Sequence, residues 1–174
     1  MKTCLLSGNF ALDTIVMRDY PNGFAVGKNN KFTETVVTEC VGNTCGNVAC
    51  ILAHLGVQTF PIAHLDLSEQ GLKIKDDLQR YGADVRFVEN SASGGTTLLR
   101  CTHKRDKMTG EHIASFRATS PGSRFPKRKF IRVRDEAPLF LENLNFIPHI
   151  FFFDAAEAGL RYLAGGLRER GTLI

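Results

Sequence analysis

The chain predicts an α/β fold in which a largely parallel sheet is flanked by helices. Two observations carry this. Short apolar runs that end at Gly, Asn or Asp alternate with amphipathic stretches of helical period along the chain. Repeated strand, helix, strand order also implies right-handed crossovers and helices on both faces. The bulk numbers agree, since 174 residues at 43% hydrophobic and 23% charged are ordinary for a chain that buries one sizeable core.

Each element follows from local chemistry. TCLLSGN (3–9) reads as a buried strand stopped by Gly8 and Asn9. Over 14–38 the β-branched stretches TIV and TETVVT surround a polar segment with Pro21, Gly23 and Gly27, which predicts a hairpin-like excursion. VGNTCGNVACILAHLG (41–56) is a helix whose apolar stripe is Val48, Ile51, Leu52 and Leu55, with Gly56 where it ends. Its start is unusual. Gly42 and Gly46 permit close backbone approach beside the unpaired N–H groups and partial positive charge of a helix N-terminus, so this start can receive a ligand.

TFPIA (59–63) is a weaker strand, because Pro61 cannot donate to a ladder. A helix from about Gln70 to Tyr81 has Ile74, Leu78 and Tyr81 on one face and Gly82 after it, and ADVRFV then reads as a strand by alternation. TTLLRCTH and EHIASFR flank KRDKMTG, so 96–117 predict an antiparallel pair turning at Gly110. APLFLENLNF leads to HIFFFD, an apolar strand ended by Asp154. Asp154 is placed to cap a helix running to about Arg170, with Ala156, Leu160, Leu163, Ala164 and Leu167 inward and Gly171 closing it. GTLI then begins a further strand with only Leu173 and Ile174 as core-type residues, so an incomplete domain is expected.

Composition narrows the function classes. No apolar run approaches the ~20 residues that span a bilayer, and MKTCLLSGNFALD breaks too early for a secretory signal, so a cytoplasmic protein without a membrane partner is expected. Five cysteines without a C-x-x-C pair or a matching histidine cluster read as reduced thiols and no metal site. The net charge of +4 is local: Arg124, Lys127, Arg128, Lys129, Arg132 and Arg134 lie in RFPKRKFIRVR, and without those six the 22 basic residues fall to 16 against 18 acidic. Such a run reads as a solvated surface segment, with nucleic-acid binding the alternative. No nucleic-acid-binding motif accompanies it, and Phe125 and Phe130 are isolated aromatics, so a nucleic-acid partner is not expected.

In a parallel α/β sheet, ligands sit beyond the carboxyl ends of the strands. Asp13 follows the first strand and Asn47 lies early in the glycine-flanked helix, and together a carboxylate and an amide can grip vicinal hydroxyls. That points to a polyol. Taken alone, Asp13 as a turn residue and Asn47 as a cap is the plainer reading.

These positions also fall within longer motifs. GNFALDTIV resembles the Asn-x-x-x-Asp opening of ribokinase-like (PfkB) carbohydrate kinases, and GNTCGNVACILAHLG resembles their first signature, Gly-Gly-x-x-x-Asn-x-Ala followed by Leu-Gly. Gly42, Asn47, Ala49, Leu55 and Gly56 fall on signature positions, and Asn43 stands where the second glycine usually is. DLSEQGLKIKDDLQRYGADV is similar to the following helix and Gly-Val-Asp segment, with Leu67 and Ser68 in place of the usual acidic Gly-Asp-Asp, and TGEH sits where Asp-Gly-Glu-Arg is often found.

The resemblance implies a Rossmann-like sheet with a small β lid, about 14–38, over a sugar or nucleoside phosphorylated by ATP, and it covers the amino-terminal half of the family's domain. It implies that Asp13 holds sugar hydroxyls, Gly42 lets the backbone approach, and Asn43 and Asn47 line the sugar together with Gly27 and Lys28 of the lid. The catalytic Asp of a Gly-Ala-Gly-Asp motif, most ATP contacts with Mg2+, and a monovalent-cation site are implied for the carboxyl-terminal half. Gly-x-Gly-Asp does not occur in these 174 residues, so the chain carries no catalytic residue on this reading. A non-catalytic sugar-binding module is the alternative. The open strands of the lid make a homodimer through it an expectation.

Overall fold

A computed structural model of the chain describes residues 2–24, 31–119, 136–155 and 157–174. β1 (Thr3–Ser7), with Cys4, Leu5 and Leu6 fully buried, lies inside a parallel sheet between β4 (Gln58–Leu65) and β8 (Ile150–Phe153), with β5 (Val88–Asn90) beyond β4. Alternation along β1 divides the core in two. Cys4 and Leu6 join a cluster with Ala49, Ile74 and Leu78, contributed by α1 (Asn43–His54) and α2 (Glu69–Arg80). Leu5 joins Phe151, Leu141, Leu160 and Leu163 on the opposite face, where α3 (Glu136–Asn143) and α4 (Ala158–Glu169) lie. Helices on both faces of a parallel sheet are what the strand, helix alternation predicts. At the outer edge of β8, Phe151 N–H donates to Leu173 O at 2.8 Å and Leu173 N–H to His149 O at 3.0 Å, so GTLI does begin a pairing.

A second sheet has the order β3-β2-β6-β7, built from β2 (Ala11–Tyr20), β3 (Thr33–Gly42), β6 (Thr97–Asp106) and β7 (His112–Thr119). β2 pairs antiparallel with β3 and parallel with β6, and β6 with β7 form the hairpin expected over 96–117. The hairpin therefore joins the excursion in one four-stranded layer. Asp106 pins its turn by accepting from Phe24 N–H at 2.7 Å, Met108 N–H at 2.8 Å and Thr109 N–H at 2.9 Å, and these bonds hold its carboxyl below the usual range. Gly110 completes the turn at φ +77. Among the described residues no helix is long and apolar enough to cross a membrane.

Several local expectations are corrected. In α1 the buried positions are Cys45, Gly46 and Ala49; of the expected stripe Val48 and Leu52 pack against the core, while Ile51 and Leu55 are 58% and 70% exposed. The helix turns its small residues inward, which lets it approach β3: a Cβ on Gly46 would lie 3.1 Å from Val41 Cγ2. Tyr81 likewise is an exposed C-cap residue, while Ile74 and Leu78 are buried as expected. Pro61 sits inside an eight-residue strand. Asp84 N–H donates to Thr59 O, so Pro61, two residues on, turns its missing donor to that same edge, where β5 pairing begins only at Ala63.

ADVRFV is mostly a 3-10 turn over Val85–Phe87, because the Asp84 carboxylate accepts from Arg86 N–H at 3.1 Å and pairs with its guanidinium, an arrangement that outcompetes the ladder. Asp154 does not cap α4. The N-cap is Glu157, without a side-chain bond, and Asp154 instead accepts from Asn9. Leu160, Leu163, Ala164 and Leu167 face inward as expected, whereas Ala156 lies outside the described residues.

Candidate functional site

The β2/β3 register brings Asp13 to the start of α1. Ala11 lies opposite Gly42 and Asp13 opposite Cys40, so the carboxylate stands where β3 passes into the helix. Asp13 is the third residue of a ten-residue strand and not a turn residue. Its Oδ2 accepts from Asn43 N–H at 3.3 Å. Oδ1 is buried and meets no partner among the described residues. Burial pushes the Asp13 carboxyl above its usual range, and the Asn43 N–H pulls it partly back.

Gly42 is required by that approach. A Cβ there would lie 1.9 Å from Asp13 Oδ2 and 2.2 Å from its Cγ. The next residue explains the departure at Asn43. Asn43 has φ +62, the left-handed region that favours glycine and that asparagine tolerates best among other residues, and its Oδ1 accepts from Thr44 N–H at 2.7 Å. Asn47 lies one turn further along α1, on the face it shares with Asn43, and is exposed. The N-cap is Gly42, so Asn47 is not a cap. The first turn of α1 holds no acidic residue and its N-cap makes no side-chain bond, so the negative charge that meets its positive end comes from Asp13 on β2. The structure thus brings Asp13, Gly42 and Asn43 into contact with Asn47 one turn away. Gly27, Lys28 and the basic run at 124–134 lie outside the described residues.

Two carboxylates that hold this region, Asp77 buried and Asp154 half-buried, were not legible as such. Asp77, 3% exposed, accepts from Val41 N–H at 3.0 Å and pairs with Arg80 at 2.9 Å and Lys73 at 3.4 Å, tying α2 to the last turn of β3. Its signal is an acid three residues after Ile74 on an otherwise apolar helix face. Asp154, at the end of β8, accepts from Asn9 N–H at 2.7 Å and its side-chain amide at 3.3 Å. A Cβ on Gly8 would lie 1.8 Å from the same oxygen, so the loop after β1 is laid directly against that carboxylate. Cys45 of α1 is beside it, its thiol pushed up by burial and then by the Asp154 charge.

Two cavities, of about 570 Å³ beside His64, Lys75 and Phe87 and about 440 Å³ between α3 and α4, are lined by none of these site residues. Among the described residues no three His, Cys, Asp or Glu side chains are grouped to hold an ion.

No family model and no curated protein matches the chain. Solved structures do. Ribokinase of Arabidopsis thaliana, complexed with ribose and ATP, is similar at 15% identity and TM-score 0.60, over 99% of this chain and 52% of that one. 2-dehydro-3-deoxygluconokinase of Thermotoga maritima is similar at 14% identity and TM-score 0.60, over 99% and 49%. The tetrameric inhibited form of phosphofructokinase-2 from Escherichia coli is similar at 16% identity and TM-score 0.60, over 99% and 53%. The fold is that of ribokinase-like carbohydrate kinases, and the chain spans about half the length of these solved chains.

Proposed function

We propose that the chain is the sugar-binding half of a ribokinase-type carbohydrate kinase, and that Asp13 grips substrate hydroxyls. The observation that carries this is the buried, unpartnered Oδ1 of Asp13 at the start of α1. A carboxylate oxygen left without a donor costs free energy unless a ligand supplies one, and a sugar hydroxyl is a donor of the right size. In this reading Gly42 keeps the backbone close, Asn43 and Asn47 face the sugar from α1, Gly27 and Lys28 also contact the sugar, and the second sheet acts as a lid. ATP with Mg2+ and a monovalent cation would be held by the other half of the fold. The Gly-x-Gly-Asp stretch that would supply base and anion hole is absent from these 174 residues, so no chemical step is routed through this chain and it gives no turnover alone.

Calorimetry of the chain against pentoses, hexoses and nucleosides tests the site. Losing a hydrogen bond to a charged group costs roughly 1.5–3 kcal/mol, so Asp13→Ala should weaken a bound sugar by about one to two orders of magnitude, with a smaller loss for Asn47→Ala. A sugar whose affinity neither substitution changes would show the assignment to be wrong. Robust ATP turnover with any sugar by the purified chain would sink the division of labour. A second reading, a sugar-binding module that dimerises through its lid, is favoured by the exposed outer strands β3 and β7 with Val36, Val37 and Phe116. Sedimentation that finds only monomer would set it aside.

A further inference from the structure

On β6, Cys101 and His103 are two residues apart and share one face of the second sheet, and the β6/β7 register sets His112 diagonally beside His103. Cys101 Sγ lies 3.3 Å from His103 Nε2, and His103 Nδ1 lies 3.0 Å from His112 Nε2. The two rings stack at 5.0 Å and 19°. One imidazole therefore meets a thiol with one nitrogen and another imidazole with the other, the relation of nucleophile, base and orienting group that makes a thiol reactive. When His103 carries its proton on Nδ1 and donates it to His112, its Nε2 lone pair faces the sulfur.

The other four thiols are differently placed. Among the described residues none has an imidazole within hydrogen-bonding distance. Burial pushes Cys4 and Cys50 up to about 11, and raises Cys40 and Cys45 as well. Cys101 is buried at 9% exposure, opposite Phe116, which is 71% exposed on the outer strand β7.

We propose that Cys101 is a site of thiol–disulfide exchange with small-molecule disulfides, with His103 as its base and His112 positioning that base. The Cys101 proton passes to His103 Nε2 and the thiolate attacks one sulfur of the incoming disulfide. A new S–S bond forms to Cys101 as the old one breaks, and the departing thiolate takes the proton from His103. Cys101 is oxidised and the departing sulfur is reduced, so electrons and protons balance. The inference does not rest on the sugar reading.

The test is the intact chain incubated with glutathione disulfide and, separately, with iodoacetamide, with each cysteine followed by peptide mass mapping. Cys101 should react at least about tenfold faster than the other four, and dithiothreitol should reverse the glutathione adduct. His103→Ala should slow Cys101 by about tenfold or more while leaving the others unchanged. His112→Ala should slow it less, and His112→Gln, whose amide oxygen can accept from His103 Nδ1–H, should restore the rate. Uniform labelling, faster labelling of Cys40 or Cys50, or a rate indifferent to His103→Ala overturns the proposal. Should His103→Ala unfold the chain, all five cysteines will label together, and the wild-type order with the His112 pair decides.

Discussion

Gly42→Ala isolates the contact on which the candidate site depends. At φ −153 and ψ −149 Gly42 lies outside the left-handed region that favours glycine, so the effect expected of an alanine there is chiefly steric. The new Cβ would lie 1.9 Å from Asp13 Oδ2, so the carboxylate must retreat by roughly 1.5 Å to reach an ordinary contact of 3.4 Å. That movement breaks the 3.3 Å bond from Asn43 N–H and presses the side chain into a packed strand pair. Overpacking of this kind costs about 1–3 kcal/mol. If the clash with Asp13 is the cause, the same substitution in an Asp13→Ala background should cost no more than about 0.5 kcal/mol, a coupling of order 1–2 kcal/mol. Urea denaturation of the four proteins in the cycle measures it. Equal costs in both backgrounds would refute the reasoning, as would a stable Gly42→Ala with unchanged sugar affinity.

Two further expectations concern the carboxylates. Burial raises the Asp13 carboxyl above its value in the unfolded chain, so the native state still holds the proton at pH values where the unfolded chain has lost it, and stability falls as pH rises through that gap. Asp13→Asn should therefore melt higher than the parent at neutral pH, with the difference closing as pH falls below the ordinary carboxylate range; a lower melting temperature at neutral pH would contradict the desolvation argument. Asp77→Ala should cost roughly 1–3 kcal/mol by urea denaturation, because it strands the buried Val41 N–H while Lys73 and Arg80 return to water, and a change below about 0.5 kcal/mol would show that bond to be replaceable.

Much of the architecture was legible because it is written in local periodicity. Ile74 and Leu78 at helical spacing, Cys4 to Ser7 as an apolar run, and Gly110 between two alternating stretches each reach the same answer from neighbours in sequence and from the folded core. Local reading failed where a polar side chain chose a distant or competing backbone partner. Asp84 turned an alternating stretch into a 3-10 turn, Asp154 left the helix it was placed to cap for Asn9, and Asp77 reached across to Val41. It held only in part for α1, where Val48 and Leu52 of the visible stripe pack against the core but the fully buried positions are the small Cys45, Gly46 and Ala49.

The sequence by itself determined the α/β class, the strand and helix order apart from α3 and the turn at 85–87, and a glycine-flanked helix start near an aspartate, because propensity, period and turn chemistry act over a few residues. Only the tertiary structure decided that β6 lies parallel to β2 in one sheet with β3 and β7, that Gly42 is glycine because Asp13 occupies the space of its side chain, and that Cys101, His103 and His112 touch. Those facts depend on strand register and on contacts between residues far apart in the chain, which the pattern along a single segment does not encode.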